Sequence, residues 1–336
     1  MLKVGVIGHG GMGRYHAGVY AAREDVELVA VCDKDPQRLK PNKDVAINLG
    51  TGSGADVGSV RTFTDAEEML ATAELDLVSV CTPTDLHAEL SIAAMRAGVH
   101  VLCEKPMARH LHEADEMLAV CQQTGRTLMV GQCIRFWPFY EALADACRSG
   151  QYGELLILSL RRVSATPRWS SDDWMRQAPR SGGCLLDMHL HDTDFVCHAL
   201  GLPQAVATAG RVGPSGGIDT SVTHYLYPDG PVVMAEATWG YTGGFNMSFW
   251  AQCQRACLEM DYREGRLVRR EGGAGEAVAV DVPEGSGVER EIDYLLGCLR
   301  DGRPTDRCTP ASTRQSLAVV LAEQRSAQAG GARVQL

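Results

Sequence analysis

The stretch Lys3-Val4-Gly5-Val6-Ile7-Gly8-His9-Gly10-Gly11-Met12-Gly13 decides the fold class of this chain. A short apolar run ends in a glycine-rich turn, and residues 12–22 continue with helical apolar spacing. In such a strand, turn and helix, Gly8 permits the tight turn, Gly10 lets the backbone approach a pyrophosphate, and Gly13 lets helix and strand pack closely. The pyrophosphate then rests on the helix N-terminus that Gly11 and Met12 open. Asp33 ends the second apolar run, 25 residues after Gly8, where a carboxylate can bind the adenosine ribose hydroxyls. Loop and acid together point to a dinucleotide cofactor. A carboxylate at that place repels a 2′-phosphate, which favours NAD; Lys34 and Arg38 leave NADP open. Asp33 also reads as a turn residue in Asp33-Lys34-Asp35-Pro36.

Working outward, the first 130 residues alternate short buried-type runs with amphipathic stretches. Val4–Ile7, Leu28–Cys32, Leu77–Cys81, Val99–Cys103 and Leu128–Val130 read as strands; residues 12–22, 65–72, 86–97 and 111–123 read as helices. This rhythm predicts a doubly wound parallel sheet over residues 1–130. Residues 40–59, rich in Gly and Ser, read as an inserted loop, because no strand precedes their glycines and no helix start follows.

From residue 131 to 336 the pattern changes. Leu155–Val163, Ala205–Val212, Val222–Tyr227, Val232–Tyr241, Met247–Cys253, Ala256–Tyr262 and Val278–Val282 read as successive strands, with helices near 184–200, 288–300 and 310–328. A second, α+β domain with a large, mostly antiparallel open sheet is predicted, and the chain as a whole is α/β.

Composition narrows the function. The formal charge is −10, and neither half is basic, which argues against a nucleic-acid partner. No apolar run approaches the length of a membrane span, and MLKVGVI is too short for a signal peptide, so a cytoplasmic location is expected. The 12 cysteines are scattered without a CxxC pair and read as buried thiols.

Two segments carry candidate chemistry. The chain has 27 Arg but only 5 Lys, and Lys105 is the last of them. A proton donor or relay needs an ammonium whose pKa can move, which Arg does not supply. Lys105 follows the apolar run VHVLC, at a strand's carboxyl end, and precedes Pro106, which can admit a cis bond. Further on, Gly182-Gly183-Cys184 opens a helix in which Asp187 and His191 stand four apart and share a face. A histidine takes a hydroxyl proton near neutral pH, and a carboxylate one turn away orients it. The same spacing occurs in surface pairs. Cys184, Asp187 and His191 also form a stripe of metal-ligand types with His189 between, but the spacing matches no zinc set, and no metal is expected.

These motifs resemble the glucose–fructose oxidoreductase / inositol dehydrogenase / MocA (Gfo/Idh/MocA) family of nicotinamide-dependent oxidoreductases. The resemblance is carried by the glycine loop, Cys81-Thr82-Pro83-Thr84-Asp85-Leu86-His87, Glu104-Lys105-Pro106, and Gly182-Gly183 with Asp187 and His191. It implies a Rossmann domain followed by a domain whose open sheet holds substrate on one face and makes dimer or tetramer contacts on the other. It implies oxidation of a secondary hydroxyl of a cyclic polyol or sugar, with Lys105, Asp187 and His191 as the acid–base relay. Thr82, Pro83 and Glu104 match positions lining the nicotinamide half of the cofactor, and His87 matches a family histidine of structural or catalytic use. Arg135, Trp174 and His189 are substrate-side candidates, with core or surface packing an equal reading for Trp174 and Trp169. Cys184 in place of a third glycine, His189 in place of a small residue, and the long 40–59 segment depart from the family pattern. A dihydrodiol dehydrogenase and a non-catalytic NAD(P)-binding regulator are the competing readings.

Overall fold

The computed structural model describes residues 1–40, 60–273 and 275–336. The loop expected over 40–59 lies outside the described residues, apart from Lys40. By spatial proximity the chain divides into two units. The first comprises Met1–Gly131 with two later pieces, Trp169–Trp174 and Tyr294–Arg314; the second comprises Gln132–Arg168, Met175–Asp293 and Gln315–Leu336.

In the first unit six strands, β1 (Leu2–Ile7), β2 (Val26–Cys32), β3 (Arg61–Phe63), β4 (Leu77–Val80), β5 (His100–Cys103) and β6 (Leu128–Val130), form one sheet. All pair in parallel, in the order β3-β2-β1-β4-β5-β6. Val4–Ile7 and all of β4 are buried, as strands covered on both faces must be. The order reverses between β1 and β4, and there the carboxyl ends of the strands open a crevice suited to a ligand. Strand β3 escapes the sequence reading because it is a short edge strand, and of its three residues only Phe63 is buried.

Helices α1 (Gly11–Ala21), α2 (Ala66–Thr72), α3 (His87–Arg96) and α4 (Leu111–Thr124) connect these strands. The Asp65 side chain caps α2 by accepting the Glu68 N–H at 2.9 Å, and Glu113 accepts the His110 N–H at 2.9 Å at the start of α4. Helix α1 differs. Its N-cap is Gly10, no side chain caps it, and no acid stands in its first turn.

The second unit is built on nine strands: β7 (Leu155–Val163), β8 (Ala205–Val212), β9 (Ile218–Leu226), β10 (Val232–Thr238), β11 (Asn246–Cys253), β12 (Ala256–Asp261), β13 (Arg266–Glu271), β14 (Val278–Ala279) and β15 (Val334–Gln335). Their order is β14-β13-β12-β11-β7-β10-β9-β8-β15. Among the described residues only β7 and β10 of this sheet pair in parallel. Alternation assigns the faces: Leu158, Leu160 and Arg162 of β7 are buried while Arg161 is exposed. Strand β13, Arg-Leu-Val-Arg-Arg-Glu, was not legible as a strand because four of its six residues are charged. Helices α5 (Pro138–Ser149), α6 (Ala178–Ser181), α7 (Leu190–Leu200), α8 (Gly287–Asp301) and α9 (Pro310–Gln328) follow in chain order, the last two with residues in both units. All 12 cysteines are free, and each is buried or half-buried.

Candidate active site

In the first unit the predicted cofactor residues gather at the carboxyl ends of the parallel strands. Gly8 has φ +89°, and a Cβ there would stand 2.6 Å from the Cys81 carbonyl oxygen. A Cβ on Gly13 would come within 1.8 Å of the Gly8 carbonyl oxygen, so only glycine lets α1 start this close to β1. At Gly10 the nearest group among the described residues is the far end of the Arg38 side chain, 3.2 Å away. With the uncapped amides of Gly11 and Met12 this is a cradle that fits a pyrophosphate.

Asp33 is buried, and its carboxylate is fixed from both sides. Its Oδ2 accepts the His9 N–H at 2.8 Å and its Oδ1 accepts the Asp35 N–H at 2.9 Å. Arg38 Nη1 lies 4.0 Å from Oδ2. The His9 ring meets the Arg38 carbonyl at 2.9 Å, and burial pulls its pKa below the ordinary value. Thus the acid that would receive ribose hydroxyls is also the brace of the glycine turn.

After β4, Thr82 and Pro83 lead into a helical turn at Thr84–Leu86, and Thr82 Oγ1 is a buried atom without a hydrogen-bond partner among the described residues. His87, at the start of α3, is fully buried. Its Nδ1 meets the Pro106 carbonyl at 2.8 Å and its Nε2 the Thr82 carbonyl at 2.9 Å. Two carbonyl acceptors require two N–H donors, so the ring is held as imidazolium. Burial, the largest influence, opposes that charge, but the Cys103 sulfur and the two carbonyls outweigh it and bring the pKa up to about 9. His87 therefore ties the Thr82 turn to the segment after β5 and presents no free nitrogen to a cofactor.

Glu104 and Lys105 follow β5, and the Lys105–Pro106 bond is cis. Lys105 is half-buried. Glu104, expected along the nicotinamide half, is turned into the unit: Oε1 lies 3.1 Å from His16 Nε2 and Oε2 accepts the Lys105 N–H at 3.1 Å. Burial pushes its carboxyl up, but the His16 hydrogen bond and the charges of His16 and Lys105 hold it below the usual range. Trp174, half-buried, closes the piece Trp169–Trp174 that belongs to the first unit, in which Asp172 pairs with Lys34 at 3.2 Å.

In the second unit the glycine turn before Asp187 is as predicted. Gly182 and Gly183 have φ +84° and +72°, and Asp219, which the sequence reading missed, closes the turn by accepting the Cys184 N–H at 3.3 Å and the Ser215 N–H at 2.9 Å. Leu185–His189 then forms a π-helical turn before α7, so Asp187 and His191 are not on one regular α-helix as the spacing implied. Such wide turns recur at functional sites. Asp187 is 8% exposed and His191, the second residue of α7, is half-buried. Burial first, then the carboxylates of Asp187 and Asp219, push the Cys184 thiol well up, which keeps it neutral.

Two substrate-side expectations are corrected. Arg135 is 3% exposed and makes a bidentate pair with Asp194, at 2.8 and 2.6 Å. His189 is fully buried, with Nε2 3.1 Å from Glu323 and 3.2 Å from Thr223 Oγ1. Both are committed to the interior of the second unit. Beside them Arg162 pairs with Asp192 at 3.0 and 2.8 Å, and Thr193 meets Tyr225 and Glu323, each at 3.0 Å. Three successive polar residues of α7 thus anchor the helix that carries His191.

Two family models match the chain in order. Residues 2–132 match the oxidoreductase family, NAD-binding Rossmann fold, and residues 140–259 match the GFO/IDH/MocA C-terminal domain. The chain belongs to the Gfo/Idh/MocA family. Its first unit contains that family's NAD-binding Rossmann domain. Among Gfo/Idh/MocA relatives it is 33% identical to the D-glucoside 3-dehydrogenase of Escherichia coli over 205 residues, 60% of this chain and 55% of that one. It is 29% identical to the myo-inositol 2-dehydrogenase of Thermotoga maritima, over 71% of this chain and 70% of the relative. The chain therefore aligns with little more than half of the glucoside dehydrogenase. A solved UDP-N-acetylglucosamine 3-dehydrogenase from Acidithiobacillus ferrooxidans is similar over 98% of this chain and 99% of its own, at 25% identity and a TM-score of 0.79.

Proposed function

We propose that the protein is an NAD-dependent dehydrogenase that oxidises a secondary hydroxyl of a cyclic polyol or sugar. The observation that carries this reading is the joint presence of the glycine cradle braced by Asp33 and of Lys105 after β5, Asp187 in the π turn and His191 at the start of α7, each buried or half-buried. In this reading His191 takes the hydroxyl proton, Lys105 hydrogen-bonds the same oxygen, and Asp187 orients the histidine and supports its charged form. NAD, when bound, accepts the hydride from the carbinol carbon. The names of the D-glucoside, myo-inositol and UDP-N-acetylglucosamine dehydrogenases it resembles support the substrate class.

Cofactor binding is assigned to residues 1–130, and substrate binding and self-association to 131–336. The outer face of the second sheet is the surface for a second copy. Its register aligns Met234, Ser159 and Trp250 in one row, and Met234 and Trp250 are 38% and 39% exposed, with Val232 two residues before Met234 at 53% and Val222, opposite Glu236, at 41% on the same face. Apolar side chains grouped on one open face mark an association surface. No helix among the described residues is long and apolar enough to cross a membrane; a cytoplasmic location is part of the same proposal.

The test is a panel of polyols, sugars and dihydrodiols of aromatic rings with NAD and NADP, followed by the absorbance of the reduced cofactor. Turnover of a polyol or sugar is expected, with Lys105→Met lowering kcat about 100-fold or more. Failure to bind NADH, or full turnover by the Lys105→Met variant, would overturn the reading; tight NADH binding without hydride exchange would point to a regulatory protein, and preference for the dihydrodiols of aromatic rings to a dihydrodiol dehydrogenase.

A further inference from the structure

We propose that His16 and Glu104 form a positioning pair that fixes the backbone from which Lys105 departs. This rests on the assignment of Lys105 to the reacting hydroxyl. All the groups lie in the first unit.

His16 stands on α1, three residues after Gly13, and its ring is fully buried. Nε2 lies 3.1 Å from Glu104 Oε1, and Nδ1 lies 3.1 Å from Ser79 Oγ, which in turn is 2.7 Å from the Tyr20 hydroxyl. The second oxygen of Glu104 accepts the Lys105 N–H at 3.1 Å. A continuous set of contacts, buried up to Glu104 and part-buried at its last link, therefore runs from the helix that opens at the glycine turn to the peptide nitrogen of Lys105.

The physical case is one of orientation. A buried carboxylate is costly unless donors meet its oxygens. Here they come from two different elements, a helix and a strand end, so Glu104 cannot rotate without giving up one of them. His16 is in turn held at both ring nitrogens, so its ring plane is fixed. The Lys105 side chain has a flexible four-carbon stem, and its ammonium can be placed reproducibly only if its Cα is. A displacement of about 1 Å at a reacting group costs on the order of 100-fold in rate. Because α1 also presents the pyrophosphate cradle, the seat of the cofactor and the origin of the lysine share one rigid connection. Neither His16 nor Glu104 touches substrate in this proposal; both act through Lys105.

The experiment compares Glu104→Ala, Glu104→Gln and His16→Leu in the full chain. Glutamine keeps an acceptor for the Lys105 N–H and a donor for the ring nitrogen, so it is the conservative replacement. Three quantities are read: hydrogen exchange of the Lys105 amide, NADH affinity by fluorescence titration, and kcat and KM for an alcohol found in the panel. The Lys105 amide should exchange at least ~10-fold faster in Glu104→Ala and His16→Leu and stay within ~3-fold of wild type in Glu104→Gln. In the first two, kcat should fall ~10- to 100-fold while KM and NADH affinity stay within ~3-fold, and the Gln variant should recover most of kcat. Unchanged exchange and kcat in Glu104→Ala would overturn the proposal. So would parallel losses of NADH affinity and kcat in all three variants, or a Gln variant as impaired as the Ala variant. If the wild-type chain oxidises no alcohol, the proposed function falls, and the exchange measurement still decides whether the pair holds Lys105.

Discussion

The Asp33 carboxylate accepts the backbone N–H of His9 at 2.8 Å, tying the end of the second strand to the glycine turn that follows the first. Asp33→Ala removes both this brace and the acceptor for ribose hydroxyls. NADH binding should weaken about 10-fold or more, the worth of a hydrogen bond to a charged group. NADP binding should weaken less, because the repulsion of a 2′-phosphate goes with the carboxylate while Arg38, 4.0 Å from it, remains. Fluorescence titration of both reduced cofactors checks the two directions.

Gly10 and Gly13 separate two uses of glycine. An alanine at 13 would bring its Cβ to 1.8 Å from the Gly8 carbonyl, where no flexible side chain can yield. Gly13→Ala should cost a few kcal/mol of stability and abolish NADH binding together. Among the described residues Gly10→Ala meets only Arg38 Nη1, at 3.2 Å, and should keep its melting temperature while losing cofactor affinity. Thermal denaturation beside titration distinguishes them.

Arg135 and Asp194 are a fully enclosed ion pair. Arg135→Ala leaves a buried carboxylate without its partner and should cost about 3–5 kcal/mol by chemical denaturation, whereas Arg135→Met with Asp194→Leu should recover much of that loss. A double-mutant cycle measures the coupling.

His87 gives the fold a pH dependence of known sign. Its folded pKa, about 9, is above the unfolded value of about 6.5, so the native state binds the proton more tightly. The contribution is fully present below about pH 6.5 and is lost as pH rises through about 9, amounting to as much as ~3 kcal/mol. Melting curves from pH 6 to 9.5 should show this decline, and His87→Asn, neutral at every pH, should flatten it.

If the outer face of the second sheet takes a second copy, Trp250→Glu should shift the sedimentation coefficient toward the monomer without changing NADH affinity. An unchanged assembly, or a monomeric wild type, would remove that surface from the proposal.

The parts legible in advance were local. Gly8, Gly10 and Gly13 could be read because a strand, a tight turn and a helix start within 11 residues leave only backbone conformations that glycine satisfies. The place of Lys105 just past a strand's carboxyl end was legible because the apolar run VHVLC leads directly to it. Asp192 and Asp194 were not, because charged residues are rarely buried and nothing near them in sequence indicates partners. Those partners, Arg162 and Arg135, stand 30 and 59 residues away. Arg135 was misread for the same reason: a lone Arg after a strand looks available to substrate until Asp194 is seen to occupy it.

The sequence by itself determined the parallel cofactor-binding sheet, its glycine cradle with Asp33, and the family, since each depends on short-range steric and hydrogen-bonding rules. Only the tertiary structure decided which partners the buried polar groups take. It assigned His189, Arg135 and Glu104 to internal partners and converted the expected α-helical Asp187–His191 spacing into a π turn followed by α7. The physical reason is that burial makes pairing obligatory for a charge, and the partner is supplied by whichever distant element the fold brings alongside.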